Sequence, residues 1–264
     1  MVLLVGTVVA LLAFLTIAVY TLLGIRVAKT GGKVPVQKFG LPDVILSSLL
    51  IFYLIALAIA GFSMPEKQIR DSDILKSGIV EVIIVAALCG FLALRGFKLA
   101  SQFGLGALRP DKVAGIAVLL LFAFYPLLVC TSIVTQKILG PEAKPQELIK
   151  MFSEASEQMN YRTLVYTLVT GVLVAPVAEE MIFRGYLYPI LKRYLGILPG
   201  ILLNAALFSV VHLNVAALPA LFLFAVCLTL AYEYTGSILV NICMHGLFNF
   251  CALTLVFFFS KLTQ

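Results

Sequence analysis

The chain consists of long apolar runs separated by short polar links. A run of about 20 apolar residues can cross a bilayer as a helix. Eight such runs lie at about 2–25, 43–63, 77–95, 113–139, 162–190, 198–216, 218–235 and 237–259. Their apolar positions do not alternate with period two, as those of a membrane β-strand would. The pattern therefore predicts an all-α fold, a polytopic transmembrane helical bundle of eight spans.

Local features refine this picture. The fifth run is longer than one span needs and contains Pro176, which should kink its helix. Very short links join the last three runs and predict tight antiparallel hairpins. Segment 141–161 is polar, but Pro145 suits a helix start there. One face of that predicted amphipathic helix carries Leu148, Phe152, Ala155 and Met159. We expect it to pack on the outer surface, with a role as substrate gate as the less favoured alternative.

Composition supports a membrane protein. The chain is 62% hydrophobic and 12% charged, whereas a soluble domain is about 45–50% apolar and about 25% charged. The net charge is +6, but no basic stripe with interleaved aromatic residues indicates a nucleic-acid partner. The five cysteines lie in apolar runs without CxxC spacing, which disfavours a zinc or redox motif. The first run starts at Val2 without a basic segment before it, so we expect a retained span rather than a cleaved signal peptide.

Basic residues predict the orientation. The links after the first, third and fifth spans carry Arg26, Lys29, Lys33, Lys38, Arg95, Lys98, Arg109, Lys112, Lys192 and Arg193. Links rich in lysine and arginine stay in the cytoplasm. We therefore expect the N-terminus and segment 141–161 to lie outside. The expected location is the plasma membrane of a prokaryote, with the lipid bilayer as a partner; the sequence predicts no oligomeric state.

The fifth run contains a cluster of ionisable residues that is energetically costly to place in a bilayer. An ionisable side chain at bilayer depth costs roughly 2.5 kcal/mol or more, and Glu179, Glu180 and Arg184 lie within six residues. Glu180 and Arg184 are four apart and share a helical face, which favours an ion pair. Glu179 lies about 100° around the helix and is free to act as a general base. The alternative is that both acids bind the arginine and hold helices together.

The two histidines lie in later apolar runs. His212 alone is more typical of a hydrogen-bonded core residue. Asn241, His245 and Asn249 form a polar stripe that must face the bundle interior or a wet cavity. Asn241 can serve an interhelical hydrogen bond, whereas His245 and Asn249 are better candidates for chemistry. One polar site shared by three helices would suit water activation and oxyanion stabilisation, hence hydrolysis of an acyl bond.

Three short motifs resemble those of a known family. They are Glu179-Glu180-x-x-x-Arg184, Phe208-x-x-x-His212 and His245-x-x-x-Asn249. In this order they are similar to the motifs of the CAAX-protease and bacteriocin-processing family, which includes the type II CAAX prenyl endopeptidases and the Abi proteins. The resemblance covers about residues 162–259. Together with the predicted spans and orientation, it divides the chain into N-terminal helices without catalytic motifs (1–140), an extracytoplasmic loop with an amphipathic helix (141–161) and a catalytic helical core (162–264).

The resemblance implies an intramembrane endopeptidase that acts on a membrane-associated or prenylated, CAAX-like peptide or protein. By motif, Glu179 would activate water and His212 would help to hold it. His245 and Asn249 would form the oxyanion hole. In eukaryotes the family's prenyl endopeptidases remove the last three residues of a prenylated Cys-a-a-X protein. In a prokaryote, peptide precursors or membrane-protein tails are the expected substrates.

By the same resemblance, Glu180 and Arg184 would brace the site.

The resemblance leaves alternatives for the mechanism and the function. The family has also been described as metalloproteases, in which case Glu179, His212 and His245 would bind Zn²⁺ and leave an open position; we favour the metal-free mechanism without a cofactor. A non-proteolytic bacteriocin-immunity or scaffolding protein is a further alternative. An ion- or proton-coupled transporter is disfavoured, because transporters commonly show two related halves and the polar groups here crowd one half.

Overall fold

The apolar runs form helices throughout the computed structural model, which describes residues 2–63, 71–140 and 147–262. The N-terminal part contains α1 (Val2–Thr30), α2 (Leu41–Ser63), α3 (Asp71–Leu94), the single turn α4 (Leu99–Gln102), α5 (Pro110–Leu139) and α6 (Glu147–Glu157). The C-terminal part contains α7 (Tyr161–Val169), α8 (Ala175–Glu180), α9 (Tyr188–Leu195), α10 (Ile197–Val210), α11 (Leu218–Thr235) and α12 (Ile238–Leu262). No strand occurs within the described ranges. The predicted all-α helical bundle is confirmed.

Seven helical stretches in the described part of the chain are long and apolar enough to cross a membrane. They correspond to seven of the eight predicted spans. The remaining one, predicted at 198–216, is the 14-residue helix α10. At about 1.5 Å per residue this helix is roughly 21 Å long, shorter than the roughly 30 Å hydrocarbon core of a bilayer. The protein is therefore an integral, multi-pass membrane protein in which α10 falls short of a full span.

The long fifth run forms a single helical stretch, Tyr161–Leu195, that is not α-helical throughout. A first π turn (Thr170–Val174) separates α7 from α8, and a second π turn (Met181–Leu187) separates α8 from α9. Pro176 has no N–H to donate to an α-helical hydrogen bond. The first π turn lies at the position of the predicted kink and directly precedes α8. The backbone hydrogen bonds change there from the α-helical to the π-helical pattern. Such π turns are frequent at functional sites.

Helices α11 and α12 lie at the centre of the bundle. Helix α11 contacts α1, α5, α10 and α12, and seven consecutive residues from Cys227 to Glu233 are buried. Burial all round is expected of a helix surrounded by other helices. The link to α12 is short, as predicted, because Gly236 (φ +72°) ends α11 in the left-handed conformation that favours glycine. Helix α8 contacts both α12 and α3, so both can contribute to a site around Glu179.

Glu233, near the end of α11, links the segment that follows α1 to the C-terminal helices through hydrogen bonds and an ion pair. Its carboxylate accepts hydrogen bonds from the Tyr188 hydroxyl at 2.6 Å and the Val34 N–H at 3.2 Å. It also pairs with the Lys192 ammonium at 2.7 Å. Three donors satisfy the buried carboxylate. The contact therefore holds the N-terminal part against α9 and α11 without an unpaired buried charge.

The predicted amphipathic helix is α6, which packs against α7 and α12. Phe152 and Ala155 are buried, as their shared face predicts, and Met151 is buried beside them. Met159 is different: it lies beyond the end of α6 with φ +54° and is 47% exposed. Pro145 and the side chain of Leu148 lie outside the described residues. The packing role expected of this helix is therefore present for the part that the structure describes.

Candidate active site

A cavity of about 640 Å³ lies between the N-terminal and C-terminal helices. Its walls come from α3, α5, α6, the first π turn, α8, the link between α10 and α11, the start of α11, and α12. Four of the six predicted site residues line it: Glu179, His212, His245 and Asn249. The other two, Glu180 and Arg184, are fully buried behind it. The structure thus brings the three motifs together.

Glu179 meets both histidines in this cavity. Its Oε2 lies 3.7 Å from Nε2 of His212 and 3.8 Å from Nε2 of His245. These distances are too long for direct hydrogen bonds, but they suit groups that share one small polar ligand such as water. Glu179 Oε2 is enclosed and has no hydrogen-bond partner in the described part of the chain. The separation of the two acids predicted from helix periodicity is present, because Glu179 faces the cavity.

His212 lies just beyond α10, in the turn that follows Val210, rather than on a helix as the sequence predicts. Its Nδ1 is still 2.7 Å from the carbonyl oxygen of Phe208, four residues earlier. A carbonyl only accepts, so Nδ1 carries the hydrogen. In the neutral ring, Nε2 then presents a lone pair to the cavity. His212 can therefore accept a hydrogen bond from a molecule beside Glu179.

Glu180, at the end of α8, connects Arg184 in the second π turn to α12. Its Oε1 lies 2.8 Å from an Arg184 nitrogen and 3.0 Å from Nδ1 of His245. Its Oε2 accepts a hydrogen bond from the Asn241 amide at 3.2 Å. All four side chains are buried. Glu180 therefore orients His245 from behind, and Asn241 has the interhelical role that the sequence suggested for it.

The Arg184 guanidinium is held on two further sides. One nitrogen donates to the carbonyl oxygen of Ala225 on α11 at 3.3 Å. The guanidinium carbon also lies 4.4 Å from the centre of the Phe208 ring, within the range of a cation–π contact. Phe208 precedes the turn that carries His212. The buried ion pair therefore supports the elements that present both histidines.

Asn249 reaches the cavity from α12, next to the first π turn. Its Nδ2 donates to the carbonyl oxygen of Gly171 at 2.7 Å. An amide nitrogen carries two hydrogens, so the second remains available for a ligand. The close approach of α12 depends on Gly246, since a Cβ there would lie 2.7 Å from the carbonyl oxygen of Val172. A small residue at this position thus sets the distance between Asn249 and Glu179.

Glu81 is a cavity residue that the sequence motifs do not contain. It lies on α3, lines the same cavity and interacts electrostatically with Glu179. Its Oε1 accepts a hydrogen bond from the Ser77 hydroxyl at 3.3 Å. In the sequence, Glu81 is visible as a single carboxylate within the apolar run 77–95. Sequence reasoning missed it, because the family motifs lie in the second half of the chain.

A catalytic zinc ion at this site would need three protein ligands. Within residues 2–63, 71–140 and 147–262, no three histidine, cysteine, aspartate or glutamate side chains are arranged to hold a metal ion. Glu179, His212 and His245 converge but do not form such a group. We therefore derive no catalytic step through a metal, and the choice between the metal-free and the zinc-dependent mechanism stays a prediction.

The C-terminal part of the chain matches a known protein family. Residues 161–251 match the family model described as Type II CAAX prenyl endopeptidase Rce1-like. The matched segment contains all six predicted site residues, whereas the first 160 residues lie outside it. None of the curated proteins and none of the solved structures matches the chain. This C-terminal segment is therefore similar to the type II CAAX prenyl endopeptidases.

Proposed function

We propose that the protein is an intramembrane endopeptidase that hydrolyses a peptide bond of a membrane-associated peptide or protein. The observation that carries this proposal is the position of Glu179 Oε2, 3.7 Å and 3.8 Å from the Nε2 atoms of His212 and His245 in one cavity. A carboxylate base with two imidazoles and an amide is the set of groups that water activation and oxyanion stabilisation require. The support is geometric, and the family match agrees with it.

The reaction begins with a water molecule between Glu179 and His212. Glu179 Oε2 takes one proton from the water, while Nε2 of His212 accepts a hydrogen bond from the other. The water oxygen attacks the carbonyl carbon of the peptide bond and forms a tetrahedral oxyanion. Glu179 then gives its proton to the amide nitrogen as the C–N bond breaks. The products are a carboxylic acid and an amine.

His245 and Asn249 stabilise the oxyanion. Asn249 offers the second hydrogen of its Nδ2, since the first is donated to Gly171. Nδ1 of His245 faces Glu180, so its Nε2 can donate only when both ring nitrogens carry a proton. Glu180 and Arg184 are therefore positioning residues that act through His245.

Peptide cleavage by the purified protein in detergent or lipid tests this proposal. Glu179→Ala and His212→Ala should abolish cleavage while expression and folding stay largely intact. Normal cleavage by both variants would show that the proposed site is wrong. Comparative proteomics of membranes with active protein and with Glu179→Ala should then identify the substrate, as the protein whose cleaved form disappears.

The proposal includes an orientation. The cavity lies near the start of α3, the link between α10 and α11, and α6. The basic segments around Arg26, Lys98 and Arg193 lie at the opposite ends of these spans. With basic links in the cytoplasm, the N-terminus lies outside and the cavity faces the outer side. The substrate is then an exported peptide or the outer tail of a membrane protein, since a cytoplasmic Cys-a-a-X tail would not reach the cavity.

Thiol labelling of intact bacterial cells tests this orientation. Val215, between α10 and α11, is 56% exposed, and Lys98 is exposed at the other end. An impermeant maleimide should label Val215→Cys in intact cells, and Lys98→Cys only after the membrane is permeabilised. The wild type controls for labelling of the five native cysteines. The reverse pattern would place the cavity on the cytoplasmic side.

A further inference from the structure

Glu81 has no part in the water activation described above, although it lines the same cavity. One of its oxygens, Oε1, accepts a hydrogen bond from Ser77 at 3.3 Å. The other, Oε2, is enclosed by the protein and has no hydrogen-bond partner in the described part of the chain. An enclosed carboxylate oxygen without a donor is unfavourable. A ligand that supplies the missing donor would remove this penalty.

A ligand that pairs with Glu81 should also carry a positive charge. The described residues that line the cavity include no lysine or arginine. The buried Arg184 is paired with Glu180. Lys76, on the same helix as Glu81, has a side chain that is 73% exposed and lies 4.0 Å from Asp73. Glu81 and Glu179 therefore face the cavity together without a lysine or an arginine among the described lining residues.

The remaining walls favour a cation with an apolar stem. Leu128, Met151 and Phe248 are among the apolar side chains that line the cavity. Low-dielectric walls strengthen the field of the carboxylates inside. A lysine or arginine side chain can lay its methylene stem along such walls and bring charged N–H donors to a carboxylate. An acidic side chain would be repelled, and an apolar one would leave Glu81 Oε2 unpaired.

We infer that Glu81 is a specificity-determining residue that binds a lysine or arginine side chain of the substrate close to the scissile bond. This assignment depends on the proposed peptidase function, because it concerns the substrate of that same cavity. It adds a contact from α3, a helix outside the segment that matches the family model. The substrate class that follows is a membrane-associated peptide with a basic residue beside the cut.

Cleavage of a mixed peptide library tests the role of Glu81. Members of the library carry lysine or arginine, or their uncharged analogues norleucine and citrulline, near the cut. For the wild type, kcat/KM should be about tenfold or more higher for the basic member of a pair, as expected for a desolvated ion pair. In Glu81→Gln this ratio should fall towards one, mainly through KM. Glu154→Gln, the same charge change at an exposed position on α6, should keep the wild-type ratio.

The outcomes separate this inference from the proposed function. A wild type that cleaves without a basic preference, or a Glu81→Gln variant that keeps it, would overturn the role of Glu81 and leave the peptidase intact. If the wild type cleaves no peptide, the proposed function fails, and binding still tests Glu81. Fluorescent lysine peptides should bind the wild type about tenfold more tightly than norleucine peptides, and bind Glu81→Gln without that difference. Equal binding by the wild type would also overturn the inference.

Discussion

Glu179 and Glu180 are neighbours in the sequence, yet replacement of Glu180 should reduce stability far more than replacement of Glu179. In Glu180→Ala, the protein loses the acceptor of hydrogen bonds from Arg184, His245 and Asn241. The Arg184 guanidinium is then left buried without its carboxylate. Removal of one partner of a buried ion pair costs about 3–5 kcal/mol. At about 2–4 °C per kcal/mol for a chain of roughly this size, the melting temperature should fall by about 6–20 °C.

Glu179→Gln is the variant for comparison at the neighbouring position. Glu179 Oε2 has no hydrogen-bond partner in the described part of the chain, and the side chain is 26% exposed to the cavity. The melting temperature should therefore change little, because a substitution away from packed or paired groups costs within about 0.5 kcal/mol. Peptide cleavage should nevertheless be lost, since an amide cannot take the proton of water. Glu180→Ala should lose both stability and activity.

Thermal unfolding in detergent measures this contrast. The chain has no tryptophan but five cysteines, none in a disulfide and Cys227 buried. A dye that becomes fluorescent on reaction with exposed thiols can therefore report unfolding. Cleavage of a peptide is measured on the same samples. A Glu180→Ala variant as stable as the wild type, or a Glu179→Gln variant that still cleaves, would refute the assignment of one acid to bracing and the other to catalysis.

Three further predictions concern the same site. Asn249→Ala should lower kcat by about 10²–10³, the usual loss for one oxyanion donor, with little change in KM; an equal loss confined to KM would contradict this role. Gly246→Ala should push α12 away from Val172 and reduce cleavage, whereas Gly90→Ala on α3, where a Cβ meets nothing within 4 Å, should leave cleavage unchanged. A chelator should not inhibit cleavage, and metal analysis of fully active protein should find no stoichiometric zinc; chelator inhibition reversed by zinc would favour the zinc-dependent alternative.

Helix periodicity was sufficient to predict the pairing inside the glutamate motif. Residues four apart share a helical face, and the 2.8 Å contact between Glu180 and Arg184 has this origin. The pairing persists although the second π turn starts at Met181. The i, i+4, i+8 stripe on α12 is likewise present, with Asn241 and His245 at Glu180 and Asn249 at the cavity. Such short-range relations depend only on local geometry.

The sequence did not predict in the same way where α10 ends or which distant helices pack against each other. Hydropathy alone extends the sixth run to residue 216, but α10 ends at Val210, and Leu213 has φ +54° in the turn that follows. An apolar composition does not reveal such a turn. Glu81 was missed for a related reason: periodicity gives the face of a helix but not its neighbour. Only the packing of α3 against α8 brings Glu81 towards Glu179.

The two parts of the chain contribute different kinds of residue to the cavity walls. The matched segment, 161–251, supplies Glu179, His212, His245 and Asn249, the residues of the proposed hydrolytic mechanism. Glu81 and Met151 come from α3 and α6, outside that segment, and contact the space where substrate side chains would lie. Exchange of α3 should therefore change which peptides are cleaved more than how they are cleaved. In this protein, selectivity for a basic residue would depend on a helix that carries none of the family motifs.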